Sequence, residues 1–151
     1  MNIYKFCLLV CLLPTAWIAG AQRLRGIVRD ADRGTPLAGV SISLGQTEDI
    51  DHLAITTGAD GAFAFDRDDL HITEAQKQAV IAACRARQYK AFGPYKIQGM
   101  EDLDGWKFLL GDEKWVMIRA SGTEPVLRVY AQGPDLAECR KMLDAARAEI
   151  L

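Results

Sequence analysis

Two apolar runs joined by a short polar turn constrain this chain most: Trp115-Val-Met-Ile-Arg119 and Val126-Leu-Arg-Val-Tyr130, with Ala120 to Pro125 between them. The stretch reads as a strand, a turn and a second strand, which makes the two neighbours in an antiparallel sheet. The turn carries the hydroxyls of Ser121 and Thr123 and the bare backbone of Gly122, and Arg119 and Arg128 flank it. A phosphate dianion needs several donors converging on its oxygens. Arg119 offers a planar fork, the two hydroxyls donate, and the turn's N–H groups form an anion nest. Gly122 permits a backbone geometry, or a close approach, that a side chain would obstruct. Pro125 stiffens the exit, and Glu124 is expected to accept a hydrogen bond that fixes the loop or orients an arginine. A Ser-Gly-Thr turn between solvated arginines is also an ordinary hairpin, and spacing alone leaves both readings open.

Around that pair, Tyr95 to Met100 and Gly105 to Leu110 read as two further strands. Thr73-Glu-Ala-Gln76 has the form of a capping box and opens a helix running to about Tyr89. Gly133-Pro134 introduces a last helix, whose apolar positions Leu136, Cys139, Leu143, Ala146 and Ile150 make one buried stripe. Helix, four strands and helix predict an α+β unit: a four-stranded antiparallel sheet with two helices on one face. Cys84 and Cys139 fall on apolar helix positions and are expected to be buried free thiols, although an exported chain could pair them.

The first half is patterned differently. Gly26 to Asp30, Pro36 to Leu44, Leu53 to Thr57 and Ala62 to Phe65 read as short strands, with Val40, Ile42 and Leu44 alternating against serines and Gly58-Ala-Asp-Gly61 as a tight turn. Gly26-x-Val-x-Asp30, Thr35-Pro-Leu-x-Gly-Val40 and Thr57-x-x-Asp-Gly-x-Phe63 resemble the carboxypeptidase regulatory-like (transthyretin-like) β-sandwich. That module often follows the signal peptide of outer-membrane receptors. It should continue beyond the Asp-Gly turn, and here it stops, so an incomplete sandwich with an open edge and an uncovered apolar face is expected. Ahead of it, Met1 to Lys5, the apolar run Phe6 to Ala19 and Ala19-Gly-Ala21 match a secretory signal peptide. No membrane span is expected after its cleavage.

A net charge of −2 argues against nucleic acid or an anionic membrane surface as partner. His52 and His71 read as solvated or helix-entry residues, and Asp49 with Asp51, or Asp66 with Asp68 and Asp69, as solvated turns without the ligand pattern of a calcium loop.

Arg119-x-Ser-Gly-Thr-Glu-Pro-x-x-Arg-x-Tyr130, with Asp102-x-Asp-Gly-Trp106, Trp115-Val-Met-Ile-Arg119 and the closing helix, is similar to the C-terminal domain of the phosphohexomutases (phosphoglucomutase/phosphomannomutase). The resemblance covers Asp66 to Leu151. It implies that Arg119, Ser121, Gly122 and Thr123 grip the non-transferred phosphate of a phosphosugar, with Arg128 in support, and that inorganic phosphate is a simpler ligand for the same loop. The family's phosphoserine, its Asp-Gly-Asp-Gly-Asp magnesium loop and its sugar-selecting loop have no match among these residues. No catalytic residue, metal ligand or cofactor is therefore assigned, and activity of the chain alone is not expected. The expected organisation is a signal peptide at 1–21, a truncated β module at 22–65 and the phosphohexomutase C-terminal domain at 66–151. The two resemblances point to different compartments, the envelope and the cytoplasm, so a gene fusion and an exported envelope protein both stand as readings.

Overall fold

In a computed structural model of the chain the described residues are 23–44 and 53–151. The expected leader, His52 and the Asp49/Asp51 pair lie outside them.

The described residues contain β1 (Leu24–Ile27), β2 (Ser41–Leu44), β3 (Leu53–Thr56), β4 (Ala62–His71), α1 (Glu74–Arg85), β5 (Ala91–Phe92), β6 (Tyr95–Lys96), β7 (Gly99–Glu101), β8 (Trp106–Gly111), β9 (Lys114–Ala120), β10 (Val126–Gly133) and α2 (Leu136–Ile150). The main sheet has the order β1-β4-β10-β9-β8-β7, and every neighbouring pair is antiparallel. The fold is thus mixed, with two helices and a large antiparallel sheet.

That sheet has six strands, not the four expected. β7 to β10 are four consecutive members, but β4 runs along β10, and β1 along β4. The difference lies at Asp66 to His71, which continue Ala62 to Phe65 as one strand instead of forming a solvated turn. The charges are tolerated there because each finds a partner. Asp66, fully buried, accepts from the Arg67 N–H at 2.9 Å and sits 3.3 Å from Arg23 and 3.7 Å from Arg140. Asp68 pairs with Arg140, and Asp69 with Arg67. A strand patterned by ion pairs carries no period-two apolar signal. The expected strand Tyr95 to Met100 is also divided: β6 pairs with β5 in a small hairpin, and β7 pairs with β8.

α1 starts at the expected capping box, with the Gln76 N–H donating to Thr73 Oγ1 at 3.2 Å and the Thr73 N–H to Gln76 Oε1 at 3.0 Å. It ends earlier than expected, at Arg85. Arg87 turns into the left-handed region (φ 52°), and the N–H groups of Arg87 and Gln88 return to the carbonyls of Cys84 and Ala83, a Schellman closure. α2 is capped by Asp135, whose carboxylate accepts from the Glu138 N–H at 2.8 Å.

The sheet carries a core on each face. On one, Leu127, Val129 and Ala131 of β10, Val116 and Ile118 of β9 and Phe108 and Leu110 of β8 pack with Val80 and Cys84 of α1 and with Cys139, Met142, Leu143 and Ala146 of α2. Phe92 meets Phe108 edge-on at 5.1 Å. Cys84 and Cys139 are free and buried in this layer, as expected, and burial pushes each thiol up to about 12.

On the other face, Phe63 and Phe65 of β4 meet Trp115 of β9 and Tyr130 of β10, and Ile55 of β3 with Val28, Leu37, Val40 and Ile42 covers them. The uncovered face and open edge expected for the first half are therefore absent at β4, because β10 pairs with it from Ala64 to His71. Phe65 stacks on Tyr130 at 5.8 Å, adding an aromatic contact to the burial. Gln132 ties the layers together. Its Oε1 accepts from Trp115 Nε1 (2.9 Å) and the Thr56 N–H (3.0 Å), and its Nε2 donates to the carbonyls of Thr56 (3.0 Å) and Glu113 (3.1 Å).

Candidate phosphate-binding loop

β9 and β10 are joined by Ser121 to Pro125, and the last pair before the loop is Ala120 with Leu127. The Ser121 N–H donates to the Val126 carbonyl at 3.0 Å and closes the base. The exit is held twice, by the Val126 N–H on the Glu124 carbonyl (2.8 Å) and the Ile72 N–H on the Pro125 carbonyl (3.1 Å). Between these anchors Gly122 to Pro125 are exposed, while Ser121 is buried at 7%.

Arg119 and Arg128 are direct partners in the β9–β10 register. Paired residues of antiparallel strands point to the same side, and directly opposed like charges cost stability unless something of opposite sign joins them. The next residue in this row, across β4, is Asp69. Asp69 is already engaged by Arg67, whose Nε reaches its Oδ1 at 2.7 Å. The row and its neighbour thus gather the guanidiniums of Arg119, Arg128 and Arg67 on one side of the sheet. Among the described residues Arg128 Nε is buried with no hydrogen-bond partner. A buried donor without an acceptor costs roughly 1–3 kcal/mol, more for a charged group, so the Arg128 side chain is held here at a cost that other contacts offset.

Gly105, from the Asp-Gly-Trp part of the sequence pattern, has a site-linked reason to be glycine. Its φ is +119°, and a Cβ there would lie 2.8 Å from the Ile118 carbonyl oxygen and 3.4 Å from Arg119 Cβ. The backbone of that turn therefore rests against the root of Arg119. Gly122 has no comparable need within the fold. Its backbone is outside the left-handed region, and a Cβ would meet nothing within 4 Å. The expected demand of backbone geometry at Gly122 is not present; what remains is open space beside the loop. Glu124 also differs from expectation. It holds the loop through its carbonyl oxygen and not through its carboxylate, which is exposed.

One residue of the site was not singled out by sequence reasoning. Lys77 of α1, exposed by only 6%, donates from Nζ to the Ser121 carbonyl (3.2 Å) and the Glu124 carbonyl (3.0 Å) and pairs with Glu74 at 2.9 Å. Hydrogen bonds from the Gln78 amide and then from Lys77 hold the Glu74 carboxyl below the usual carboxylate range. A signal existed: with Thr73 as cap, Lys77 shares the spacing of Val80 and Cys84, the buried stripe of the helix.

Magnesium, implied by the resemblance, has no fitting donor set among the described residues. Among the described residues no three His, Cys, Asp or Glu side chains gather to hold a metal. Asp66 and Asp68 share one face of β4 and Asp69 takes the other, and arginines engage all three. His71 lies exposed at the end of β4, away from any such group.

The model of the phosphoglucomutase/phosphomannomutase C-terminal domain matches residues 70–149. Among curated proteins, the phosphoglucomutase/phosphomannomutase of Thermococcus kodakarensis is similar to this chain, 32% identical over 71 residues. The match covers 47% of this chain and 14% of that protein, so the chain spans a small part of its relative's length. The matched residues carry the loop, both arginines, Gly105 and Lys77, and on that match, more than half of its length, the chain belongs to the phosphoglucomutase/phosphomannomutase family through that family's C-terminal domain.

Proposed function

We propose that residues 66–151 bind a phosphate group, that of a hexose phosphate or inorganic phosphate itself, and orient it without performing chemistry alone. Arg119 and Arg128 supply the charge, Ser121 and Thr123 the hydroxyls, and Gly122 the unobstructed backbone. The observation that carries this reading is the Arg119–Arg128 pair across β9 and β10 beside an exposed loop, with the Arg128 Nε donor unsatisfied. An anion seated against the outer guanidinium atoms of this pair draws on both charges at once. A loop that recognises phosphate and not a particular sugar carbon contributes orientation and binding energy to chemistry carried by other groups. In a titration of the full chain with inorganic phosphate and with glucose 1-phosphate, the amides of Ser121 to Thr123 shift, and the shifts vanish in Arg119→Ala. Unmoved loop amides at millimolar ligand refute the reading.

A second reading gives residues 22–65 an envelope role, with export directed by residues 1–21. It is supported by the turns at the motif positions: Asp30 Oδ1 accepts from the N–H groups of Asp32 and Arg33, and Thr57 Oγ1 accepts from the Val40 N–H and donates to the Leu37 carbonyl. The mass of the mature protein and its cellular fraction decide between export and a cytoplasmic product of a gene fusion.

A further inference from the structure

We propose that Lys77 is a positioning residue of the phosphate loop, turning the Ser121–Gly122 peptide so that its N–H faces the anion; this rests on the phosphate reading above. Lys77 Nζ lies beneath the loop and takes the carbonyls of Ser121 and Glu124, one at each end, while Glu74 takes its remaining donor. The Ser121–Gly122 peptide is trans, as are all peptide bonds among the described residues. In a trans peptide the C=O and the following N–H point in opposite directions. Drawing the Ser121 carbonyl inward to Lys77 therefore aims the Gly122 N–H away from Lys77, on a residue that is exposed and has open space about its Cα. The Glu124–Pro125 peptide has no N–H, so pulling its carbonyl inward forfeits no donor. One side chain thus sets the direction of that donor without giving up another.

The test uses the full chain, with inorganic phosphate as the probe, and compares Lys77→Met, which keeps the stem, with Lys77→Arg, which keeps charge and donors. In the ligand-free Lys77→Met protein, Gly122 and Thr123 lose backbone order while amides of the β9–β10 core stay protected. Its folded fraction binds phosphate about tenfold more weakly, equivalent to roughly 1.4 kcal/mol, and Lys77→Arg recovers a large part of that loss. A purely structural lysine would lower global stability without changing the phosphate affinity of the folded protein. Unchanged loop order with unchanged affinity in Lys77→Met overturns the proposal. Should Lys77→Met not fold, the native protein decides: the Lys77 ammonium protons exchange slowly and couple to the Ser121 carbonyl, and fast exchange without coupling overturns it. Were the native chain blind to phosphate, the binding reading would fall alone, and loop order in Lys77→Met would still judge the clamp.

Discussion

Gln132→Met offers the sharpest test of how the two faces of the sheet are held together. The substitution keeps side-chain length and burial but removes both polar ends of an amide that is 3% exposed. Four groups lose their partner: Trp115 Nε1, the Thr56 N–H, and the carbonyls of Thr56 and Glu113. Each ordinary hydrogen bond contributes about 0.5–1.5 kcal/mol net, and an orphaned buried group costs about 1–3 kcal/mol. Water reaches part of the site, since a cavity of about 410 Å³ is lined by Gln132 together with Thr56 and Glu113. The two carbonyls can be rehydrated from there, whereas the indole N–H is sealed within the aromatic layer. The expected loss is therefore about 3 kcal/mol, which for a chain of this size lowers Tm by roughly 10 °C. Urea unfolding followed by tryptophan fluorescence gives the total, and amide exchange at Thr56 locates it. A loss below about 1 kcal/mol with full protection at Thr56 would refute the idea that this amide couples β3 to β10.

Two further outcomes follow from the site and the core. Arg128→Leu removes the buried Nε without a partner and half of a like-charged cross-strand pair, so stability in ligand-free protein changes by less than about 1 kcal/mol; phosphate affinity, read by the same amide shifts, falls at least about tenfold if the arginine contacts the anion. The thiols of Cys84 and Cys139, pushed up by burial from 9.0 to about 12, favour their protonated form in the folded state. Their contribution is complete below pH 9 and is lost as pH rises towards 12, so unfolding free energy declines across that window and a double Cys→Ala variant shows a shallower decline. At pH 8 a disulfide reagent modifies either thiol only as fast as the core opens.

The helices were legible because their signals are local. Thr73 and Gln76 satisfy each other three residues apart, and Cys139, Leu143 and Ala146 repeat at helical spacing whatever lies opposite. The loop was legible for the same reason: its hydroxyls, glycine and arginines are contiguous or nearly so. β4 was not, because what makes Asp66 to His71 a strand lies far away in sequence, in Arg140, Arg23 and the β10 backbone. Lys77 was missed on similar grounds. A lysine near a helix start reads as solvated unless the stripe it shares with Val80 and Cys84 is taken as evidence of burial, and its acceptors are backbone carbonyls that carry no residue signature. The aromatics that Phe63 and Phe65 meet, Trp115 and Tyr130, come from beyond residue 65, so no reading confined to the first half could have found them.

The continuity of β4 has a practical consequence for anyone who trims the chain by homology. The family match begins at Leu70, yet β10 is paired with β4 from Ala64 onward. A fragment cut at Leu70 strips Arg128 to Gly133 of their neighbour and bares one side of Tyr130. Such a fragment would present a row of unpaired backbone donors and acceptors beside an aromatic face, a template on which a second copy can add. Self-association of that fragment would then report the missing strand and not any native assembly.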